Sequence, residues 1–162
     1  MLIDVYDFDG TIYDGDSTAD FVIFALRRHP GMIFSLPRIA FAAAKLSMKA
    51  YNLTQFKTVL FGEMSKRFVL EEEAAIFWQH PATQKKLGDW FQHTPRDLPI
   101  VIASASPEFE LRYAADILGV KNLIGTRCDD ATGQLIGKNC KGAQKIERIR
   151  EVFGEFEVRA MY

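Results

Sequence analysis

The stretch that decides the fold is Leu2-Ile3-Asp4-Val5-Tyr6-Asp7-Phe8-Asp9-Gly10-Thr11, at the start of the chain. Its first five residues are mostly apolar and predict a short buried strand. The next five are polar and include a glycine, which predicts a turn directly after the strand. Side chains two residues apart on an extended backbone point the same way. We therefore expect Asp7 and Asp9 to face one pocket at the end of this strand.

Two carboxylates in one pocket also predict a cation, because negative charges are costly to remove from water unless they are paired. Magnesium suits such a site, since it binds a few carboxylate or carbonyl oxygens and keeps places for water and substrate phosphate. The sequence therefore predicts Mg²⁺ at Asp7 and Asp9.

The two ends of the chain alternate between strand and helix patterns. Three further strands are predicted at 99–103, 122–125 and 156–162, and two helices at 108–118 and 142–153. A short strand pair around an Asp-Ala-Thr-Gly turn is predicted at 127–136. Strands that alternate with helices indicate a parallel sheet with right-handed crossovers. The predicted fold class is α/β, a Rossmann-like parallel sheet with helices on both faces.

The segment between the first two strands is far longer than the dozen or so residues that a crossover needs. Its pattern is helical, and helices are predicted at 18–29, 33–52, 54–61, 71–80 and 83–91. Ser17 is the expected N-cap of the first. Helices with aromatic and aliphatic faces can bury a small core of their own. We therefore expect a helical-bundle cap at 16–91, inserted into a core formed by 1–15 and 92–162.

Composition excludes several classes of protein. The 162 residues include 20 basic and 21 acidic side chains, a balance that does not indicate nucleic-acid binding. The only cysteines, Cys128 and Cys140, are too few for a disulfide framework and lack the spacing of a zinc site. Acidic residues interrupt the apolar start, so no signal peptide is predicted. These features favour a cytoplasmic location with reduced thiols; the oligomeric state is left open.

The apolar run 32–50 approaches the length of a membrane span. Arg38, Lys45 and Lys49 lie inside it together with Pro37, whereas a bilayer span carries few charges or none. An amphipathic helix pair is the preferred interpretation, without stable membrane insertion. Contact with a membrane surface is the alternative.

The segment Asp7-Phe8-Asp9-Gly10-Thr11 resembles the first motif of the haloacid-dehalogenase-like hydrolase superfamily, Asp-x-Asp-x-Thr after the first strand. The resemblance implies that Asp7 is the nucleophile, which forms an aspartyl-phosphate, and that Asp9 is the general acid and base. It also implies that Thr11 contacts phosphate. Implied metal ligands are the Asp7 side chain and the Asp9 carbonyl.

The second and third family motifs also have counterparts. Ser104 follows an apolar run, and with the amide of Ala105 it would donate hydrogen bonds to the phosphoryl oxygens; a helix cap without substrate contact is the alternative. The third motif is a lysine near the start of a later helix, for which Lys141 fits and Lys145 competes. The fourth motif, an acidic pair after the last strand, is missing, since the sequence stops at Tyr162. We expect that a tail outside this sequence carries it.

A helical cap between the first two motifs resembles the subgroup of phosphoserine phosphatases, subfamily IB. Asp16 lies where that subgroup has a carboxylate that contacts a substrate amine, although it can equally cap a helix. The cap segment around Lys57 lacks the arginine that grips the substrate carboxylate in a phosphoserine enzyme. The apolar cap is instead similar to relatives that act on phospholipid head groups or phosphoalcohols.

Together these features predict a Mg²⁺-dependent phosphatase that hydrolyses a small phosphorylated metabolite through an aspartyl-phosphate. Phosphoserine phosphatase proper and a phospholipid head-group phosphatase are the alternatives within this class. A different class follows if the chain truly ends at Tyr162: a catalytically weak module that binds phosphate or a partner.

Overall fold

The computed structural model of the protein describes residues 2–162. The elements follow one another as β1 (Leu2–Tyr6), α1 (Ser17–Arg28), a 3-10 helix (Pro30–Phe34), α2 (Leu36–Ser47), α3 (Leu53–Ser65), α4 (Leu70–Gln79), α5 (Pro81–Gln84), α6 (Asp89–His93), β2 (Ile100–Pro107), α7 (Glu108–Ile117), β3 (Leu123–Thr126), α8 (Ala143–Phe153) and β4 (Glu157–Met161).

The four strands form one parallel sheet in the order β3-β2-β1-β4. This arrangement confirms the predicted α/β class. Val5 of β1 lies beside Val101 of β2 and Met161 of β4, so β1 is a central strand. The carboxyl ends of parallel strands meet at one edge of the sheet, and the turn after β1 lies at that edge.

Alternation along the strands divides the core into two clusters, one on each face of the sheet. Ile3 and Val5 point to the face covered by α8, where they lie in one cluster with Ile149. Tyr6 points to the opposite face and belongs to the larger cluster, together with Phe109 of α7. A sheet covered on both faces explains why the strands read as nearly continuous apolar runs.

Helices α1 to α6 all lie between β1 and β2 in the sequence, and the larger cluster joins them to the sheet. Trp78 of α4 is fully buried, and its ring packs edge-on against Phe8 and Tyr13 in the turn after β1. Its indole Nε1 donates to the Glu110 carbonyl at 2.6 Å. The inserted helices therefore brace the turn that carries Asp7 and Asp9.

Two of the predicted helices are wrong in extent. The predicted 33–52 helix is a 3-10 helix followed by α2, because Pro37 has no N–H to donate and lies in the first turn of a new helix. Predicted 83–91 is split into α5 and α6, because Gly88 leaves the helical path and donates its N–H to the Ile12 carbonyl at 2.7 Å. The predicted strand pair at 127–136 is reduced to one bridge between Cys128 and Leu135.

Both cysteines, Cys128 and Cys140, are free thiols. Within residues 2–162, no helix has the length and apolar character required to cross a bilayer.

Candidate active site

Asp7 is the first residue after β1, and its backbone N–H donates to the Tyr162 carbonyl at 2.9 Å. Its carboxylate is held at both oxygens. Oδ1 accepts the N–H of Phe8 at 2.8 Å, and Oδ2 lies 2.7 Å from Nζ of Lys145. The Asp7 side chain is 43% exposed, whereas that of Lys145 is 13% exposed. A carboxylate accessible from the cavity is thus paired with a largely buried cation.

A tight turn then brings Asp9 to the same edge. The Phe8 carbonyl accepts the N–H groups of Thr11, Ile12 and Tyr13, which closes the turn. Gly10 has a φ of +72°, a left-handed conformation that favours glycine. The reversal of the chain at Gly10 leads into α1, whose first turn lies beside Asp9.

Three donors orient the carboxylate of Asp9. The N–H of Ser17, at the start of α1, donates to Oδ1 at 2.7 Å. The hydroxyl of Ser106 donates to Oδ2 at 2.6 Å, and that of Ser104 lies 3.4 Å from the same oxygen. Ser104 and Ser106 share a face because β2 continues to Pro107 and side chains alternate along a strand. Asp9 is therefore fixed between an inserted helix and a core strand.

A buried glutamate continues this network away from the cavity. Thr18 Oγ1 lies 3.0 Å from Ser106 Oγ and also 3.0 Å from Glu110 Oε2. One hydroxyl has a single hydrogen to donate. If Thr18 donates to Ser106 and Ser106 donates to Asp9, the remaining hydrogen bond needs a proton on Glu110. With that assignment Glu110 is neutral, whereas a Thr18 hydroxyl that donates to Glu110 Oε2 instead leaves its contact with Ser106 without a hydrogen.

The environment of Glu110 agrees with that arrangement. Burial, and next the negative charge of Asp9, raise the pKa of Glu110 to about 8. Its Oε1 is buried without a hydrogen-bond partner, a position that is far more costly for a charged carboxylate than for a neutral one. Glu110 therefore lies at the end of a chain of contacts that runs through Thr18 and Ser106 to Asp9, in surroundings that favour its neutral form.

A second cation reaches the site from α3. Lys57 is 8% exposed, and its Nζ donates to the Ala105 carbonyl at 2.7 Å. Burial lowers the pKa of Lys57, and the negative charges of Asp16 and Asp9 oppose that shift. This bond links an inserted helix directly to β2.

These groups line a cavity of about 560 Å³. Its polar end contains Asp7, Asp9, Asp16, Ser104, Ser106, Lys57, Lys141 and Lys145. Its other wall is apolar and consists of Val22, Ile23, Ile39, Leu53, Phe56 and Leu60. Such a cavity suits a ligand with an anionic group at one end and an apolar part at the other. A larger cavity of about 650 Å³, between α2, α3 and the 131–134 loop, includes neither Asp7 nor Asp9.

The structure brings most of the residues predicted from sequence to this cavity. Ser104 lies inside β2 rather than at a helix start, and α7 has no side-chain cap, so the alternative role of Ser104 as a helix cap is wrong. Asp16, not Ser17, is the N-cap of α1, with Oδ1 accepting the Ala19 N–H at 2.9 Å. Asp16 also lines the cavity.

Four other residues considered from the sequence are Lys141, Lys145, Ala105 and Thr11, of which all but Thr11 line the cavity. Lys141 lines the cavity, but Lys145, the competing lysine, is the one paired with Asp7. The Ala105 carbonyl is engaged by Lys57, as described above, and Ala105 also lines the cavity. Thr11 is not among the lining residues.

Sequence reasoning missed Ser106 and Glu110. The repeat Ser104-Ala105-Ser106 was a signal for the first, because alternate residues of a strand share a face. An acidic residue among Phe109, Leu111 and Ala114 was the signal for the second, because acidic side chains are almost never fully buried unless they are paired.

A divalent cation fits this site through few protein ligands. The side chain of Asp9 is turned toward serine donors, so its backbone carbonyl and the half-exposed carboxylate of Asp7 are the groups that would hold such a cation. Residues 2–162 contain no cluster of three or more acidic, histidine or cysteine side chains that would hold a metal. Magnesium binds through one or two carboxylates and keeps several waters, so two such ligands fit it.

Comparisons with known proteins identify a family and one similar relative. The family model of haloacid dehalogenase-like hydrolases matches residues 5–161. Protein CicA of Caulobacter vibrioides is 32% identical over 168 residues, which cover 94% of this chain and 73% of that protein.

Two solved structures are similar in fold. A protein of unknown function from Bordetella pertussis aligns with a TM-score of 0.76 at 19% identity, over 98% of this chain and 80% of the other. A phosphoserine phosphohydrolase-like protein from Francisella tularensis aligns with a TM-score of 0.61 at 16% identity, over 99% and 77%.

Proposed function

This chain belongs to the haloacid dehalogenase-like hydrolase family, and on that premise we propose that it is a phosphatase, which hydrolyses small phosphate monoesters through an aspartyl-phosphate on Asp7. The observation that carries the proposal is the pairing of Asp7 with Lys145 in a cavity that also contains Asp9. A nucleophilic carboxylate needs access to substrate and a cation close by to reduce its repulsion of phosphate. Both conditions are met at Asp7.

In the first half-reaction an Asp7 oxygen attacks phosphorus, and the bond from phosphorus to the ester oxygen breaks. Asp9, protonated for this step, gives its proton to the departing alcohol. In the second half-reaction Asp9 removes a proton from a water molecule, which attacks phosphorus and releases inorganic phosphate from Asp7. The donors from Ser17 and Ser106 hold Asp9 in one orientation for both transfers.

Positive and neutral donors around Asp7 would bind the phosphoryl oxygens. Lys145, Lys141 and Ser104 line the same cavity as Asp7, and Lys57 of α3 lines it as well. Such preorganised donors stabilise the charge that develops in the transition state. Mg²⁺, held by the Asp7 carboxylate and the Asp9 carbonyl, would neutralise further charge on the phosphoryl group.

The opposite wall of the cavity suggests the nature of the alcohol. Val22, Ile39, Phe56 and their apolar neighbours would contact the leaving group, which favours a phosphomonoester whose alcohol has an apolar part. Asp16 would contact a substrate amine if one is present. The cation that α3 contributes to the cavity is Lys57 rather than an arginine, and a lysine cannot grip a carboxylate through two parallel bonds.

The test is phosphate release from phosphoserine, phosphoethanolamine, phosphocholine and lysophosphatidate with Mg²⁺, comparing wild type with Asp7→Asn. We expect turnover of at least one ester and a loss of at least about a thousandfold in the variant. Asp14→Asn is the matched control, because Asp14 is exposed in the same loop and does not line the cavity. Turnover that survives in Asp7→Asn would remove Asp7 from the mechanism.

A further inference from the structure

Helix α2 presents an apolar surface to solvent. Apolar residues recur at the spacing of one helix face, and all of them are exposed: Pro37, Ala40, Phe41, Ala44 and Met48. We call these five residues the outer face of α2. Phe41 is 64% exposed and Met48 is 79% exposed. The opposite stripe, Ile39, Ala42 and Leu46, lies on the less exposed side of the helix.

The turn before α2 extends this exposed surface. Ile33 and Phe34 of the 3-10 helix are 61% and 78% exposed. Surface helices of globular proteins normally carry charged and polar side chains toward water. Large exposed apolar side chains that cluster within one short segment indicate a binding surface.

The segment that surrounds this surface is basic. Residues 21–62 contain six basic side chains and no aspartate or glutamate, although the chain as a whole has 20 basic and 21 acidic residues. Three of the six, Arg38, Lys45 and Lys49, lie on α2 or just after it. Arg38 pairs with Glu63, whereas Lys45 and Lys49 have no ion-pair partner among residues 2–162.

We propose that the outer face of α2 binds the surface of an anionic lipid bilayer, with the helix lying in the interface. Apolar side chains flanked by lysine and arginine match both layers of that surface, since the apolar groups enter the acyl boundary and the cations remain among anionic head groups. Nζ of Lys45 lies 4.7 Å from the ring centroid of Phe41, so a cation stands next to an exposed aromatic ring.

A second copy of the chain fits this face less well. Two-fold pairing through α2 would place the same patch of both copies together. The cations of each copy would then meet a segment that contains no acidic residue, and like charges in an interface are costly.

The position of α2 relates this surface to the cavity. Ile39, on the inner side of the same helix, lines the apolar wall of the 560 Å³ cavity. Bilayer binding does not depend on the proposed phosphatase activity, and its test does not use catalysis.

The test is co-flotation of the intact protein with vesicles of phosphatidylcholine alone and vesicles with equal parts of phosphatidylcholine and phosphatidylglycerol. We expect binding to the anionic vesicles that weakens at high salt. Phe41→Ser/Met48→Ser and Lys45→Gln/Lys49→Gln should each reduce the bound fraction by at least about tenfold. The control variant is Ile136→Ser/Val152→Ser, in which both replaced residues lie outside α2 and are 52% and 56% exposed. It should bind vesicles as the wild type does.

Thermal unfolding shows whether each variant is folded, and Phe34→Ser replaces the first double variant if that one unfolds early. No binding to anionic vesicles overturns the proposal, and so does binding that is equal in the variants and the wild type. The protein could instead fail to bind vesicles and form a dimer whose population depends on concentration. If Phe41→Ser/Met48→Ser converts that dimer to a monomer, the outer face of α2 binds a second copy of the chain.

Discussion

Nζ of Lys145 lies 2.7 Å from Oδ2 of Asp7, whereas Lys141, four residues earlier, lines the same cavity without an ion pair to Asp7 among the described residues. Gly142, with a φ of +58°, separates Lys141 from the first turn of α8. The backbone turns there, and the lysine of the first helical turn therefore faces the nucleophile.

The two lysines should differ in their effect on turnover. We expect Lys145→Met to lower kcat/KM by about a hundredfold or more, because it removes a cation beside both the nucleophile and the phosphoryl group. Lys141→Met should have a smaller effect. Steady-state kinetics of both variants measures kcat/KM. A larger loss of kcat/KM in Lys141→Met would show that Lys141, not Lys145, is the main cation beside the nucleophile.

Ser106 should affect the chemical step more than substrate binding. Ser106→Ala removes the 2.6 Å hydrogen bond to Asp9 Oδ2 and leaves only the longer contact from Ser104. We expect kcat to fall by about tenfold or more with little change in KM, since Asp9 loses its fixed orientation. An unchanged kcat, measured with saturating substrate, would show that the Ser17 N–H suffices to orient Asp9.

Glu110 should make stability depend on pH. Its pKa is about 8 in the folded chain, against an ordinary value near 4.5. Between these values the folded chain holds a proton that the unfolded chain has released, so the free energy of unfolding falls as the pH rises through this interval. Glu110→Gln cannot ionise and should lose this part of the pH dependence. Urea unfolding from about pH 5 to about pH 8 measures it; identical pH dependence in both proteins would contradict a neutral Glu110.

Asp16 should distinguish substrates by the presence of an amine. Asp16→Asn keeps an oxygen that can cap α1 at the Ala19 N–H but removes the charge at the cavity. We expect KM to rise for phosphoserine and phosphoethanolamine and to stay unchanged for lysophosphatidate. An unchanged KM for all three esters would assign Asp16 to helix capping alone.

The local sequence pattern was sufficient to predict the parallel sheet and the position of Asp7 and Asp9 directly after its first strand. Apolar runs mark β1 and β2, and the polar turn Asp7 to Thr11 follows the first of them directly. The sequence does not reveal where a strand stops, and β2 continues past Ser104 to Pro107, where it pairs with Thr126 of β3.

The parts that sequence did not predict depend on tertiary contacts. Glu110 and Thr18 are 92 positions apart, and no local pattern signals that they meet. The break near Gly88 likewise depends on a hydrogen bond to Ile12 across the fold.

The central claim, that Asp7 forms the covalent intermediate, is tested most directly by acid-quenching the enzyme during turnover and mapping phosphorylated peptides by mass spectrometry. We predict a phosphoryl group on the peptide that contains Asp7, and none when the same experiment is repeated with Asp7→Asn. Turnover without any phosphorylated peptide, or with the phosphoryl group on another residue, would contradict the account.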